Sequence, residues 1–280
     1  MTSSFDEAVA LTAATGAGAP SERTFRWRIP EGWEQGAGAF GGLVVAALIR
    51  AIEQSEPDAS RRLRTVTGDL CAPALAGDSE VRVRVLRRGK AMTFLDAVLV
   101  QKGTDVVARA SGTLGASRDL EPSAIEARGG VRPAATDAIS YRPWRDVAVY
   151  TMPPGGPAFA RHYEVRPTAG LPFARASEAL VAGWTREVEP LDRLDAASVA
   201  ARMDAWWPAL FPAESKPRMA ATVAFTLVFV ADPRRLSPTE PSFRQGRVHS
   251  LHDGFFVESR DLWCGEGLVL TSQQTFAVLK

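Results

Sequence analysis

The sequence predicts an α+β protein in which one architectural unit, a mostly buried helix followed by several long antiparallel strands, is made twice. Three observations predict it. The chain has 280 residues, about twice the usual domain length. The order of a helix and then strands occurs once in each half. An ungapped shift of 162 residues places Phe94 on Phe256, Gly103 on Gly265, Val107 on Val269 and Thr113 on Thr275. The simplest packing wraps a long curved antiparallel sheet around a central helix in each half and joins the two edge to edge, which removes exposed strand edges.

The elements follow in chain order. Residues 1–23 read as a frayed tail leading into the first strand, TFRWRI, where Phe25, Trp27 and Ile29 face one way and Arg26 and Arg28 the other. After a glycine-rich turn, GLVVAALIRAIEQ has small apolar residues nearly all round, as a helix buried on most of its surface requires. Four strands are expected next, LRTVTGDLC, EVRVRVLRR, AMTFLDAVLVQ and DVVARASGTLG, with a hairpin turn at residues 101–104 between the last two. Proline and glycine, including Pro122, Gly129, Gly130, Pro133, Pro143 and Pro153, break every periodic run between 118 and 157. The order then repeats: strands AFARHYEV and EALVAGWTREV, a helix from Asp195, then ATVAFTLVFV, RVHSL, GFFVESRDLWC and GLVLTSQQTFAV. The expected organisation is a tail (1–23), a first unit (24–117), a linker (118–157) and a second unit (158–280).

Composition excludes several classes. Hydrophobic residues make up 46% and charged residues 23%, globular averages that rule out disorder of the whole chain. The 33 Lys and Arg against 32 Asp and Glu leave a formal charge of +1, without the broad basic footprint of a nucleic-acid binder. No stretch approaches the roughly 18 uncharged apolar residues of a membrane span, and the start lacks a basic segment before an apolar core. The expectation is a cytoplasmic protein with neither nucleic-acid nor membrane partner. Cys71 and Cys264 lie too far apart for a metal pair and read as buried free thiols.

The motifs narrow the chemistry. Gly36, Gly38 and Gly41 spell a dinucleotide fingerprint before a helix, but no apolar strand leads into them and the later strands run on without crossover helices. What remains is a glycine-rich helix start whose backbone N–H groups could polarise a carbonyl; tight turning and close packing explain the same glycines equally well. A G-x-S-x-G elbow is absent. His162, His249 and His252 fall in strands or strand ends without an acidic partner at dyad spacing, and no cluster has metal-ligand spacing. Asp204 stands out, a carboxylate between the apolar run VAARM and the bulky AWWPALF; an ordinary surface charge is the alternative. In LTSQQTF, alternation sends Gln273 and Gln274 to opposite faces, and Gln274 continues the face of Leu268, Leu270 and Ser272. Its counterpart in the first half is Gly112, so the halves are not chemically equivalent. Thr222 opens the strand after the second helix. A carboxylate, an amide and a hydroxyl could together hold one water and aim it, with Asp204 accepting its proton.

These residues resemble the type II acyl-CoA thioesterases, which are tandem, or double, hotdog proteins. The likeness covers nearly the whole chain. It rests on FGGLVVAALIRAI, LRTVTGDLCAPALAGD and VRVLRRGKAMTFLDAVLVQKGTDVVARASGTL in the first half, and on ARMDAWWPALF, AATVAFTLVF and GEGLVLTSQQTF in the second. After Thr222 the chain reads VAFTLVFV, more apolar than the family's usual run. The resemblance implies a double hotdog fold and hydrolysis of acyl-CoA to free acid and CoA without a cofactor or metal, by a water held among Asp204, Thr222 and Gln274. It also implies oxyanion donors at a hotdog helix start, here Gly41 and Gly42. For the CoA phosphates there are two basic groups, Arg61, Arg62 and Arg64, and Arg87, Arg88 and Lys90, although charge runs of this kind are usually solvated edges. Trp206, Trp207, Phe211 and Phe256 could line an acyl tunnel or simply be core. The expectation is a cytoplasmic homo-oligomeric thioesterase; the alternatives are a non-catalytic acyl-thioester binding protein and an enoyl-CoA hydratase of the same fold.

Overall fold

The computed structural model describes residues 4–14, 21–118, 121, 123–124, 134–265 and 267–279. The first half contains α1 (Ser4–Ala8), β1 (Thr12–Ala13), β2 (Glu22–Ile29), the small hairpin β3 (Glu34–Gln35) and β4 (Gly38–Ala39), and α2 (Gly41–Gln54). Four long strands follow: β5 (Arg61–Leu70), β6 (Gly77–Arg88), β7 (Met92–Gln101) and β8 (Asp105–Ala116). The second half contains β9 (Tyr163–Ala169), β10 (Leu180–Glu187), α3 (Ala196–Asp204), β11 (Ala220–Phe229), β12 (Ser242–His252), β13 (Phe255–Cys264) and β14 (Gly267–Val278).

All the long strands join one antiparallel sheet of 12, in the order β1-β2-β6-β7-β8-β5-β11-β14-β13-β12-β10-β9. The order reads as a mirror about the β5·β11 pair, so the two sheets meet edge to edge. Thr67 and Thr226 stand opposite each other at that junction, on a pseudo-twofold axis. α2 lies against β5, β6, β7 and β8, α3 against β10, β13 and β14, and the two helices pack on each other.

Local sequence explains each helix. From Leu43 to Ile49 every residue of α2 is buried, because the run is small and apolar on all sides. α3 starts on a reciprocal capping box between Asp195 and Ser198 and stops at Asp204, ahead of Trp206, Trp207 and Pro208. From Leu270 onward strand alternation holds in β14, where Gln274 is buried and Gln273 exposed, whereas Leu268 lies across a bulge and packs on the opposite face from Leu270 with Trp263.

Four expectations need correction. The start of the chain is not a frayed tail where it is described: Phe5, Ala8 and Val9 are buried, Trp27 donates to the Ala8 carbonyl, and β1 pairs with β2. These are contacts with distant elements, invisible to local pattern; residues 1–3 and 15–20 lie outside the described residues. Residues 158–162 form a short 3-10 turn, so the AFARHYEV strand begins at Tyr163. Cys71 is exposed, just past the end of β5, while Cys264 is buried. Phe94 and Phe256 are not counterparts, since the first is exposed and the second buried. The β7–β8 turn is one residue longer than the β13–β14 turn, with Gln101 opposite Asp105 but Cys264 opposite Gly267. Ahead of the turn the halves therefore align at a shift of 163, and a slip of one residue reverses every side chain.

Of the expected linker, residues 119–120, 122 and 125–133, with Pro122, Gly129, Gly130 and Pro133, lie outside the described residues. Its described part lies on the sheet: Ala135 and Val147 share an apolar cluster with Ala182, Trp184, Phe243 and Trp263, on the face away from α3.

Candidate active site

The first turn of α2, the last turn of α3 and the start of β11 converge with β14 on one cleft. It is lined by Gly41, Gly42, Val45, Leu70, Ala200, Asp204, Thr222, Phe225, Leu227 and Gln274. Five of the sequence-derived candidates, Asp204, Thr222, Gln274, Gly41 and Gly42, are thus brought together from four elements.

The three polar side chains form one directed chain. Thr222 Oγ1 donates to Gln274 Oε1 at 3.4 Å, and Gln274 Nε2 donates to Asp204 Oδ1 at 3.3 Å. Gln274 is 4% exposed, so its amide is held among buried neighbours. Thr222 reaches the cleft through a bulge. The register shifts between Thr222 and Ala224, placing Thr222 opposite Phe276 and Phe225 opposite Gln274. Plain alternation would have turned Thr222 away from the face of Phe225; the inserted residue, Val223, turns it back.

Asp204 is not a lone carboxylate. Arg260 Nη1 donates to its Oδ1 at 2.6 Å, while Arg260 Nε donates to Glu258. Glu258, 0% exposed, also accepts from the Ala209 backbone N–H at 2.7 Å. Burial works against the charge of Arg260, but Glu258 and Asp204 outweigh it and hold the guanidinium above its ordinary range. Beside it, burial and then Arg260 itself push Arg244 down to about 9. Arg244, Glu258 and Arg260 are not among the residues expected from the sequence. A signal was present: period two in FFVESRDLWC sets Glu258 and Arg260 on the face of Phe256 and Leu262, two opposite charges in an apolar row.

With Oδ1 bound twice, Oδ2 of Asp204 points at the start of α2. A Cβ added at Gly41 would lie 3.1 Å from Oδ2, and one at Gly42 would lie 2.9 Å from Asp204 Cβ and 2.4 Å from the Phe40 ring. Position 42 therefore needs glycine for packing, and a side chain at Gly41 would press on Asp204 and Leu70. Phe40 offers no side-chain cap, and the Gly41 and Gly42 N–H groups precede the helix's own ladder of bonds. The GAGAFGG segment makes a hairpin and a helix start, with Gly36 at φ +68° in the hairpin turn, and no dinucleotide unit.

Other candidates lie elsewhere. Trp206 packs on Trp207 and Phe256 stacks on Phe276 at 4.6 Å, so neither lines the cleft; Val45, Leu70, Ala200, Phe225 and Leu227 supply its apolar wall. Phe211 packs on Phe173. Arg87, Arg88 and Lys90 end β6 at the far end of α2, about 20 Å from Gly41 by helix rise. There Arg88 pairs with Glu56, and the Lys90 carbonyl accepts from Arg61. Arg62 pairs with Asp232, and Arg64 donates to the Gly115 carbonyl. Among the described residues no group of three His, Cys, Asp or Glu could hold a metal ion, and no helix is long and apolar enough to cross a membrane.

The pseudo-twofold axis creates a second cleft, lined by Glu53, Arg62, Leu63, Arg64, Ala196 and Asp232 among others. It lacks the polar chain. By register Leu63 stands where Thr222 does and Gly112 where Gln274 does, and Ile52 fills the space over Gly112, 2.9 Å from where a Cβ would be. Burial, with help from Asp195, pushes Glu53 up to about 7.

Comparison with known proteins adds the family. Residues 29–115 match the acyl-CoA thioesterase N-terminal domain and residues 136–278 the acyl-CoA thioesterase C-terminal domain. Comparison with the curated proteins finds no match. Among solved structures, the chain is similar to a hot dog fold protein of unknown function from Alicyclobacillus acidocaldarius, 24% identical, with a TM-score of 0.83 over 100% of this chain and 99% of that one. It is similar to an acyl-CoA thioesterase II from Mycobacterium marinum at 13% identity and a TM-score of 0.73, covering 99% and 98% of the two chains. The tesB protein of Mycobacterium avium subs paratuberculosis follows at 15% identity, a TM-score of 0.71 and coverage of 99% and 98%. At such identities the structures speak to the fold alone, and that fold is the double hotdog expected from the sequence.

Proposed function

The chain belongs to the acyl-CoA thioesterase family, and from that premise we propose that it hydrolyses acyl-CoA thioesters to free acid and CoA at the cleft between α2 and α3. The observation that carries the reading is the directed chain from Thr222 through Gln274 to Asp204 Oδ1, which leaves Oδ2 free beside the α2 start.

The chemistry follows from that arrangement. The thioester carbonyl lies against the first turn of α2, where the Gly41 and Gly42 N–H groups stabilise the oxyanion. Asp204 Oδ2 takes a proton from water as the water oxygen bonds to the carbonyl carbon. The tetrahedral adduct then collapses, the C–S bond breaks, and the departing thiolate takes that proton from Asp204, so that the carboxylate is restored and no cofactor is consumed. Gln274 spends one N–H on Asp204 and keeps its second for the water or the carbonyl. Val45, Leu70, Ala200, Phe225 and Leu227 supply an apolar wall for the acyl group.

Thiol release from a chain-length series of acyl-CoAs tests the reading. Turnover by the native chain, with Gln274→Ala lowering kcat about 10²-fold, is the expected result. Binding of acyl-CoA without any release would favour a carrier instead.

A further inference from the structure

One charged side chain of the second half's interior has no task in this scheme. Arg244, on β12, is 0% exposed, and its Nε, Nη1 and Nη2 have no hydrogen-bond partner among the described residues. Its guanidinium lies 5.2 Å over the Trp206 ring. Unbonded donors in an interior are costly, so hydrogen bonding is not what keeps an arginine there.

The duplicated fold supplies an internal control. Cross-strand register equates Val81 with Arg244, Val83 with Gly246, Leu95 with Glu258, Ala97 with Arg260, and Gly112 with Gln274. Where the first half places apolar side chains and a glycine, the second places three charges and an amide. Gly246 belongs to the same set. A Cβ there would lie 3.0 Å from Arg244 Nη2 and 3.6 Å from Arg260 Cγ, so the glycine makes room for both guanidinium groups.

The charges balance only when Arg244 is counted. Asp204 and Glu258 share Arg260, two negative charges on one positive. Asp204 is bonded by Arg260 from β13 and Gln274 from β14, and the other charged and polar groups of this interior are Arg244 from β12, Glu258 from β13, Thr222 from β11 and Tyr163 from β9, while α2 brings backbone N–H groups without a formal charge. Burial raises the Tyr163 phenol well above its ordinary value and so keeps it neutral, and it raises the Cys264 thiol as well. Glu187 and Arg202 form a buried pair of their own and leave the sum unchanged.

We propose that Arg244 is a positioning residue of the hydrolytic reaction, the second cation that balances the charges of Asp204 and Glu258 around the guanidinium they share. The inference rests on Asp204 as the base, because only the ionised carboxylate can take the proton of water. Without Arg244 the cluster carries a net negative charge in a low-dielectric interior, which favours proton uptake by one carboxylate at higher pH.

The test is the pH profile of kcat/KM for the native chain, Arg244→Met, Arg244→Lys and the double variant Arg244→Met with Glu258→Gln. In Arg244→Met the acid limb moves up by about one pH unit. Arg244→Lys restores the charge and returns the limb. The double variant, having lost one charge of each sign, returns it as well. A limb that stays in place in Arg244→Met, whatever happens to the plateau, overturns the proposal, as does a limb still displaced in the double variant. If circular dichroism shows Arg244→Met unfolded, the other two variants decide, and a displaced limb in either one overturns it. Failure of the base assignment is separate, since it would show as full activity in Asp204→Asn.

Discussion

Asp204 is fastened through a single oxygen: Arg260 Nη1 donates to Oδ1 at 2.6 Å, and Oδ2 is left to the cleft. The bond fixes the carboxylate plane, and Glu258 fixes Arg260 from behind. In the proposed reaction, a base oriented in this way needs no reorganisation when water arrives.

Arg260→Met breaks this buried set and leaves Glu258 without its cation. Such a loss costs about 3–5 kcal/mol when one partner of a buried ion pair is removed. Urea denaturation should show a loss of unfolding free energy of that size; a variant as stable as the native chain would mean that the pair is not structurally coupled to the core.

Gly41→Ala places a methyl group 3.1 Å from Asp204 Oδ2 and 3.0 Å from Leu70 Cδ1, where the proposed reaction puts the attacking water. A displacement of that order at a reacting centre lowers kcat by about 10²-fold. Gly89→Ala is the control, since its added carbon meets nothing nearer than the Met92 carbonyl oxygen at 3.6 Å. Equal activity of the two variants would take the α2 start out of the site.

Glu53 sets a pH dependence of stability that is separate from catalysis. Its folded value, about 7, lies above the ordinary 4.5, so folding binds its proton more tightly than the unfolded chain does. Stability therefore falls as pH rises from about 4.5 to 7, and stays lowered above that. Glu53→Gln should gain about 3 kcal/mol at pH 8 and nothing at pH 4, with kcat unchanged. Thermal unfolding at the two pH values decides; a gain that is the same at both would place its origin in packing.

How much of this was legible in the sequence varies by kind of signal. Periodicity exposed the buried helix, the long strands and the burial of Gln274, because one face of each element must be apolar. The duplication was visible too, yet Phe94 was set on Phe256 because an ungapped shift cannot see a turn that differs by one residue. Thr222 enters the cleft on a bulge that alternation does not encode. Arg260 and Glu258 could have been found from their shared face in β13, but their meeting with Asp204 joins residues 56 apart in the chain, and only packing creates it. The buried start of the chain around Phe5 has the same origin, with Arg50 of α2 pairing with Asp6 at a partly exposed site.

The most direct measurement is kcat of Asp204→Asn in thiol release from an acyl-CoA that the native chain turns over, with circular dichroism verifying the fold. Asparagine keeps the shape and an oxygen for Arg260 but cannot take a proton, so kcat should fall by about 10²-fold or more. Native kcat in a folded Asp204→Asn protein would contradict the account.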